Sequence, residues 1–164
     1  MSGRLDAGLG DWTSPKRNLN RGYRKLDVWQ DAMEYYRQSW NVFSEFPYVA
    51  RRIASNQIAA VDSVHRNLAE GYCRRSIREY LQFLNVALSS AGESVSALHA
   101  YLKAGQLSRE SFDKLDAISY KLENGLIRLI ESLEKKRDDN DWDDSFMIRE
   151  SNTLYRVDEG QAKS

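Results

Sequence analysis

Four stretches of the chain repeat apolar residues at steps of three and four, the period of a helix that buries one side. From Asp27, the residues Trp29, Ala32, Met33, Tyr36, Trp40 and Phe43 share a face, and Pro47 stops the run after Phe46, because proline has no N–H for a helix interior. A second run, from about Tyr48 to Glu70, aligns Ile53, Gln57, Ala60, Val61, Val64 and Leu68, with Gly71 placed as a left-handed C-terminal cap. Ser76 and Glu79 form a capping-box signature, and Ile77, Leu81, Leu84, Leu88, Ala91, Val95, Leu98 and Leu102 then run at heptad spacing until Gly105 ends the helix. Ser108 caps a fourth run that carries Phe112, Leu115, Leu122, Leu126, Leu129 and Leu133 to about Lys136. Lys135, Lys136 and Arg137 sit in its last turn, where cations offset the negative helix end. No alternating strand pattern competes. The expected fold class is all-α, an antiparallel up-and-down four-helix bundle over residues 26–137, since long amphipathic helices joined by short loops bury their stripes most simply that way.

The third helix has a second side. Tyr80, Phe83, Ala87, Ser90, Ser94, Ala97 and Tyr101, followed by Ala104, also step by three and four, aromatic at the ends and small in the middle. Small residues let another helix approach closely. That helix belongs either to the same bundle or to a second subunit, and an interface is favoured by the number of aromatics the chain has to cover. Glu93 falls within this region, and if buried it requires a partner.

Composition adds arms to this picture. A chain of 164 residues is one domain of ordinary size. Formal net charge is zero, yet residues 1–26 carry six basic against two acidic side chains, a net of +4, and residues 138–164 carry three against eight, a net of −5. Residues 1–25 hold four of the nine glycines and no apolar period, which predicts a flexible basic arm; residues 138–164 open with DDNDWDD and predict an acidic, mostly disordered tail with a docking motif around Trp142 and Phe146. A single cysteine, Cys73, makes no internal disulfide, and the start MSGRLDAGLGDW lacks the apolar core of a secretion signal. Both predict the cytoplasm. No stretch approaches the roughly 18 apolar residues of a membrane span.

Candidate chemistry gathers at the turn between the second and third helices. Arg66, Arg74, Arg75 and Arg78 flank Gly71, where the donor-rich start of the third helix also lies, so charge and backbone N–H groups together suit a phosphate. Arg51 and Arg52 add charge at the far end of the second helix. Asn67 and Glu70, one turn apart beside Gly71, read as hydrogen-bonding groups that fix the turn, and Tyr72 and Tyr80 as core or interface aromatics that could also stack on bases. His65 and His99 lie on different helices with no metal-ligand spacing, and Cys73 has no histidine base near it in sequence. No phosphate-loop, dinucleotide or nucleophile-elbow motif and no Glu-x-x-His pair occurs. The expectation is a protein without enzymatic activity, metal or cofactor.

Four short stretches carry a resemblance: Tyr23-Arg24-Lys25-Leu26-Asp27-Val28-Trp29-Gln30, Ser55-Asn56-Gln57-Ile58, Asn67-Leu68-Ala69-Glu70-Gly71, and Tyr80-Leu81-Gln82-Phe83-Leu84 with Ala87, Ser90 and Glu93. In this order the chain resembles, over about residues 23–136, the four-helix bundle proteins encoded in intervening sequences of bacterial 23S ribosomal RNA genes. It departs from their pattern at Val61–Arg66, at Ser89 and in its acidic tail. The resemblance implies a homopentameric ring without established enzymatic activity, similar in fold to the accessory variability determinant of diversity-generating retroelements, a basic ring that binds nucleic acid and a reverse transcriptase. Two functions follow as expectations. One is a scaffold that binds RNA, DNA or a ribonucleoprotein through the arginine turn; the other is an adaptor for a protein such as a polymerase.

Overall fold

A computed structural model of the chain describes residues 19–142. Among these residues four helices form, α1 (Asp27–Phe43), α2 (Arg51–Tyr72), α3 (Ile77–Lys103) and α4 (Arg109–Asp138), with 3₁₀ segments at Leu19–Lys25 and Tyr48–Ala50. Each helix packs on the next and α1 closes on α4, and across one diagonal long side chains of α1 reach α3 through the core. Short loops make neighbours antiparallel, so the start of α1, the end of α2, the start of α3 and the end of α4 share one end of the bundle.

Leu68, Leu84, Leu98, Leu115, Leu122 and Leu126 are fully buried, and on α3 the heptad residues Ile77, Leu81, Leu84, Ala91 and Leu98 all face the core. At mid-height this apolar core is crossed by a polar layer. Gln57 Nε2 donates to the Ser94 carbonyl at 3.1 Å, and Ser94 Oγ donates to the Ala91 carbonyl at 2.7 Å. With the serine proton committed there, the Tyr35 hydroxyl, 2.9 Å away, is the donor to Ser94 Oγ. Burial pushes the Tyr35 phenol up to about 12.

The elements differ from the sequence expectation in defined ways. In α1 the buried face is Val28, Ala32, Tyr35, Ser39 and Phe43, a rotation away from the predicted stripe that leaves Met33 36% and Trp40 52% exposed. Small residues at Ala32 and Ser39 let α1 approach its neighbours, which the bulk of two tryptophans does not. Gly71 is not a left-handed cap but a helical residue within α2. A Cβ at Gly71 would lie 2.8 Å from Tyr80 Cδ2 and 2.9 Å from Phe83 Cβ, so the glycine serves the close approach of α2 to α3. The helix ends two residues later, where the Cys73 N–H reaches the carbonyls of Ala69 and Glu70.

Ser76 sits at the start of α3 with extended backbone, but its side chain makes no capping bond and the predicted capping box does not form. Ser108 does cap α4, accepting from the Ser111 N–H at 3.1 Å. Gly105 ends α3 with a left-handed φ of 71°, and the bonds from the Gly105 and Gln106 N–H groups to Leu102 and Tyr101 close the helix as a Schellman motif. Residues 19–25 belong to the fold rather than to an arm: the Tyr23 ring lies 5.4 Å from Trp29 and 6.2 Å from Tyr72, and a Cβ at Gly22 would collide with the Tyr72 hydroxyl. The rest of the predicted arm, 1–18, and the tail beyond 142 lie outside the described residues. Glu93 is exposed and requires no partner.

Candidate nucleic-acid interface

The antiparallel arrangement assembles a basic end that no single stretch of sequence displays. The 3₁₀ segment brings Arg21, Arg24 and Lys25, the end of α2 brings Arg66, the turn brings Arg74 and Arg75, the start of α3 brings Arg78, and the end of α4 brings Lys135, Lys136 and Arg137. Arg51 and Arg52 are excluded. They begin a helix of 22 residues, so about 30 Å at 1.5 Å per residue separates them from the turn, and Arg51 lies over the Tyr48 ring at 4.4 Å.

The arginines of the turn differ in what already holds them. Arg66 is 2.6 Å from Asp62. Arg74 pairs with Glu70 at 2.6 Å and lies 4.8 Å over the Phe83 ring, which makes it a clamp between α2 and α3 more than a free cation. Glu70 therefore supports the turn, as expected, whereas Asn67 bonds upstream, its Nδ2 donating to the Ser63 carbonyl at 2.8 Å and to Ser63 Oγ at 2.9 Å. Arg78 and Arg137, from different helices, line one groove of about 750 Å³ with Leu81, Gln82, Asn85, Val86, Ser89 and Ser90. Gln82, Asn85, Ser89 and Arg137 were not legible as site residues. Their signal was the spacing of Gln82, Asn85 and Ser89 along one polar side of α3, and nothing in the sequence brought Arg137 to them.

The small-residue side of α3 packs in large part inside the subunit. Tyr80, Ala87 and Ser94 are buried, Phe83, Ser90 and Ala97 are half-buried, Ser90 Oγ lies 3.0 Å from Ser63 Oγ, and the Tyr101 hydroxyl donates to the Ile53 carbonyl at 3.3 Å. This seam is the α2–α3 packing surface. Large apolar exposure lies elsewhere. Trp29, Met33, Tyr36 and Trp40 surround an apolar hollow of about 450 Å³ on α1, edged by Gln30, Glu34 and Arg37; on α4, Tyr120 is 68% and Ile127 41% exposed.

The remaining polar candidates are engaged in packing. His65 bonds Asp62 at 2.9 Å and meets the Tyr36 ring edge-on at 5.6 Å, while His99 lies 4.9 Å from the Phe112 ring. Cys73 is exposed. Among the described residues no group of three or more His, Cys, Asp or Glu side chains is placed to hold a metal ion, and no helix is long and apolar enough to cross a membrane.

Comparison with known proteins gives a family. No curated protein matches the chain. Among solved structures, a protein of unknown function from the S23 ribosomal protein family of Bacteroides thetaiotaomicron is similar in fold, with a TM-score of 0.60 and 19% identity over 63% of this chain and 95% of that one. The model of the 23S rRNA-intervening sequence protein family matches residues 24–128, from the last turn of the 3₁₀ segment through the first two thirds of α4, and the chain belongs to that family.

Proposed function

We propose that the chain is a non-enzymatic, homo-oligomeric module that binds RNA through the basic end of its bundle. The observation that carries this reading is the convergence of Arg78 and Arg137 from two helices on one groove, next to Arg75 and the 3₁₀-segment cations. Guanidinium groups take phosphate oxygens in bidentate fashion, and the side-chain amides of Gln82 and Asn85 offer both donors and acceptors to exposed base edges. The family description ties its members to intervening sequences of 23S rRNA, which makes RNA the first nucleic acid to try. Titration of a short RNA hairpin at two salt concentrations tests the site. Replacing Arg75, Arg78 and Arg137 with alanine lowers affinity about tenfold or more and flattens the salt slope by about 2 to 3, while Arg51→Ala with Arg52→Ala changes neither. A triple variant with unaltered affinity removes the site.

The oligomer in this reading is a ring built by two unlike faces. The α1 hollow lies toward α2, where Tyr36 meets His65. Tyr120 and Ile127, two turns apart, lie on a different side of α4 from Lys121 and Gly125, which face α1. Acidic Asp116, Glu123 and Glu131 are interleaved with them along that side. A hollow and a stripe on different sides make a head-to-tail contact, the type that closes into rings. The homopentamer implied by the family is such a ring. Should light scattering find a ring that leaves RNA unbound, the adaptor reading applies, in which the ring presents a groove or rim to a protein; a monomer at all concentrations removes the ring.

A further inference from the structure

We propose that the acidic segment containing Trp142 is a removable cover over the basic end, held by Trp142 and displaced by a polyanion; this rests on the reading of that end as a polyanion site. α4 does not fade out at Asp138. Asn140 takes a left-handed φ of 55°, the Asn140 N–H bonds the Arg137 carbonyl at 3.2 Å and the Asp141 N–H the Lys136 carbonyl at 2.9 Å, a Schellman closure that reverses the chain. Two residues on, Trp142 Nε1 donates to the Arg75 carbonyl at 3.0 Å, and its ring lies 6.4 Å from Tyr80. The end of α4 is thereby fastened to the arginine turn.

The charge of this segment opposes its own helix. Asp138, Asp139 and Asp141 crowd the negative end of α4, where acids are disfavoured, and among them only Asp138 has an ion pair among the described residues, to Arg137 at 3.0 Å. Arg137, one of the two arginines of the groove, thus already faces a carboxylate, and the Trp142 contact holds that acidic segment at the arginine turn.

Full-length protein tests this with one chemical reporter. Cys73 is the only cysteine and is exposed, two residues from the carbonyl that Trp142 holds. Bimane attached there is quenched by a tryptophan in contact. In the labelled wild type the fluorescence is lower than in labelled Trp142→Ala, and it rises on addition of heparin or an RNA hairpin. Unlabelled Trp142→Ala binds both polyanions about fivefold more tightly, the factor for a site covered about four-fifths of the time. Asp138→Asn, Asp139→Asn and Asp141→Asn together give a gain of the same sign that disappears at high salt. Equal fluorescence in wild type and Trp142→Ala overturns the contact; different fluorescence with equal affinities overturns the covering role. If heparin binding tightens while no variant binds RNA, the RNA reading fails and the cover stands. If Trp142→Ala leaves RNA affinity unchanged while the arginine variant loses it, the cover fails and the RNA reading stands.

Discussion

Gly71 and Gly92 both lie inside helices, and one methyl group separates their roles. At Gly71 a Cβ meets the Tyr80 ring at 2.8 Å and Phe83 Cβ at 2.9 Å. Neither neighbour swings away freely, because Tyr80 is buried and a Cβ is fixed to its backbone. Gly71→Ala therefore destabilises by about 1–3 kcal/mol, the range for overpacking. At Gly92 nothing lies within 4 Å, so Gly92→Ala gains up to about 1 kcal/mol from helix propensity alone. Opposite shifts in the denaturation midpoint are expected, and a Gly71→Ala protein as stable as wild type refutes the close-approach account. Tyr35 gives a prediction in pH. Its phenol is raised from 10.0 to about 12 in the folded chain, so between these values the unfolded chain releases a proton that the folded one keeps. Stability is full below pH 10 and declines toward pH 12, by a limit on the order of 3 kcal/mol. Tyr35→Phe loses about 1 kcal/mol at neutral pH with its hydrogen bond and shows less alkaline decline than wild type. Equal declines in the two proteins exclude Tyr35 as the source.

At the scale of elements, periodicity located all four helices because each buries at least one stripe at helical spacing, and glycine or serine marked the ends where the backbone itself needs them. Gly105 and Ser108 are of that kind. What periodicity left open was which of two adjacent apolar stripes faces inward, and in α1 the stripe with more aromatic mass lies outward. The choice is made by packing against α2 and α4, which no local pattern contains. The same holds for the basic end: Arg75 and Arg78 were visible as a cluster, whereas Arg137 joins them only because α4 runs antiparallel to α3. Capping separates signature from bond in a measurable way. Ser108→Ala costs about 1 kcal/mol because the Ser111 N–H loses its acceptor. Ser76→Ala costs a few tenths at most, since its side chain accepts no helix N–H. Equal losses in the two variants, read by urea denaturation, contradict this distinction.

At the scale of the whole molecule, a ring changes what one basic end can do. In the proposed ring, cyclic symmetry carries the arginine turn of every bundle to the same height along the axis, so the turns form one repeated set. A polyanion long enough to reach two subunits then meets its second site at high effective concentration, and affinity grows by factors of about 10² without any new contact. On this proposal assembly and RNA affinity are coupled through residues that touch no RNA. Trp40 is the residue on which to test this, because it is 52% exposed in the α1 hollow and lies near the end of α1 away from the arginine turn. Trp40→Asp places a charge in an apolar contact, which disfavours association by several kcal/mol, and leaves the core untouched. Light scattering is expected to give a monomer with unchanged helical circular dichroism. That monomer binds an RNA long enough to span two turns at least tenfold more weakly than wild type, and binds one too short to span them with equal affinity. A monomeric variant that holds the long RNA as tightly as the wild type does breaks the link between ring and binding face, and the basic end then acts one subunit at a time.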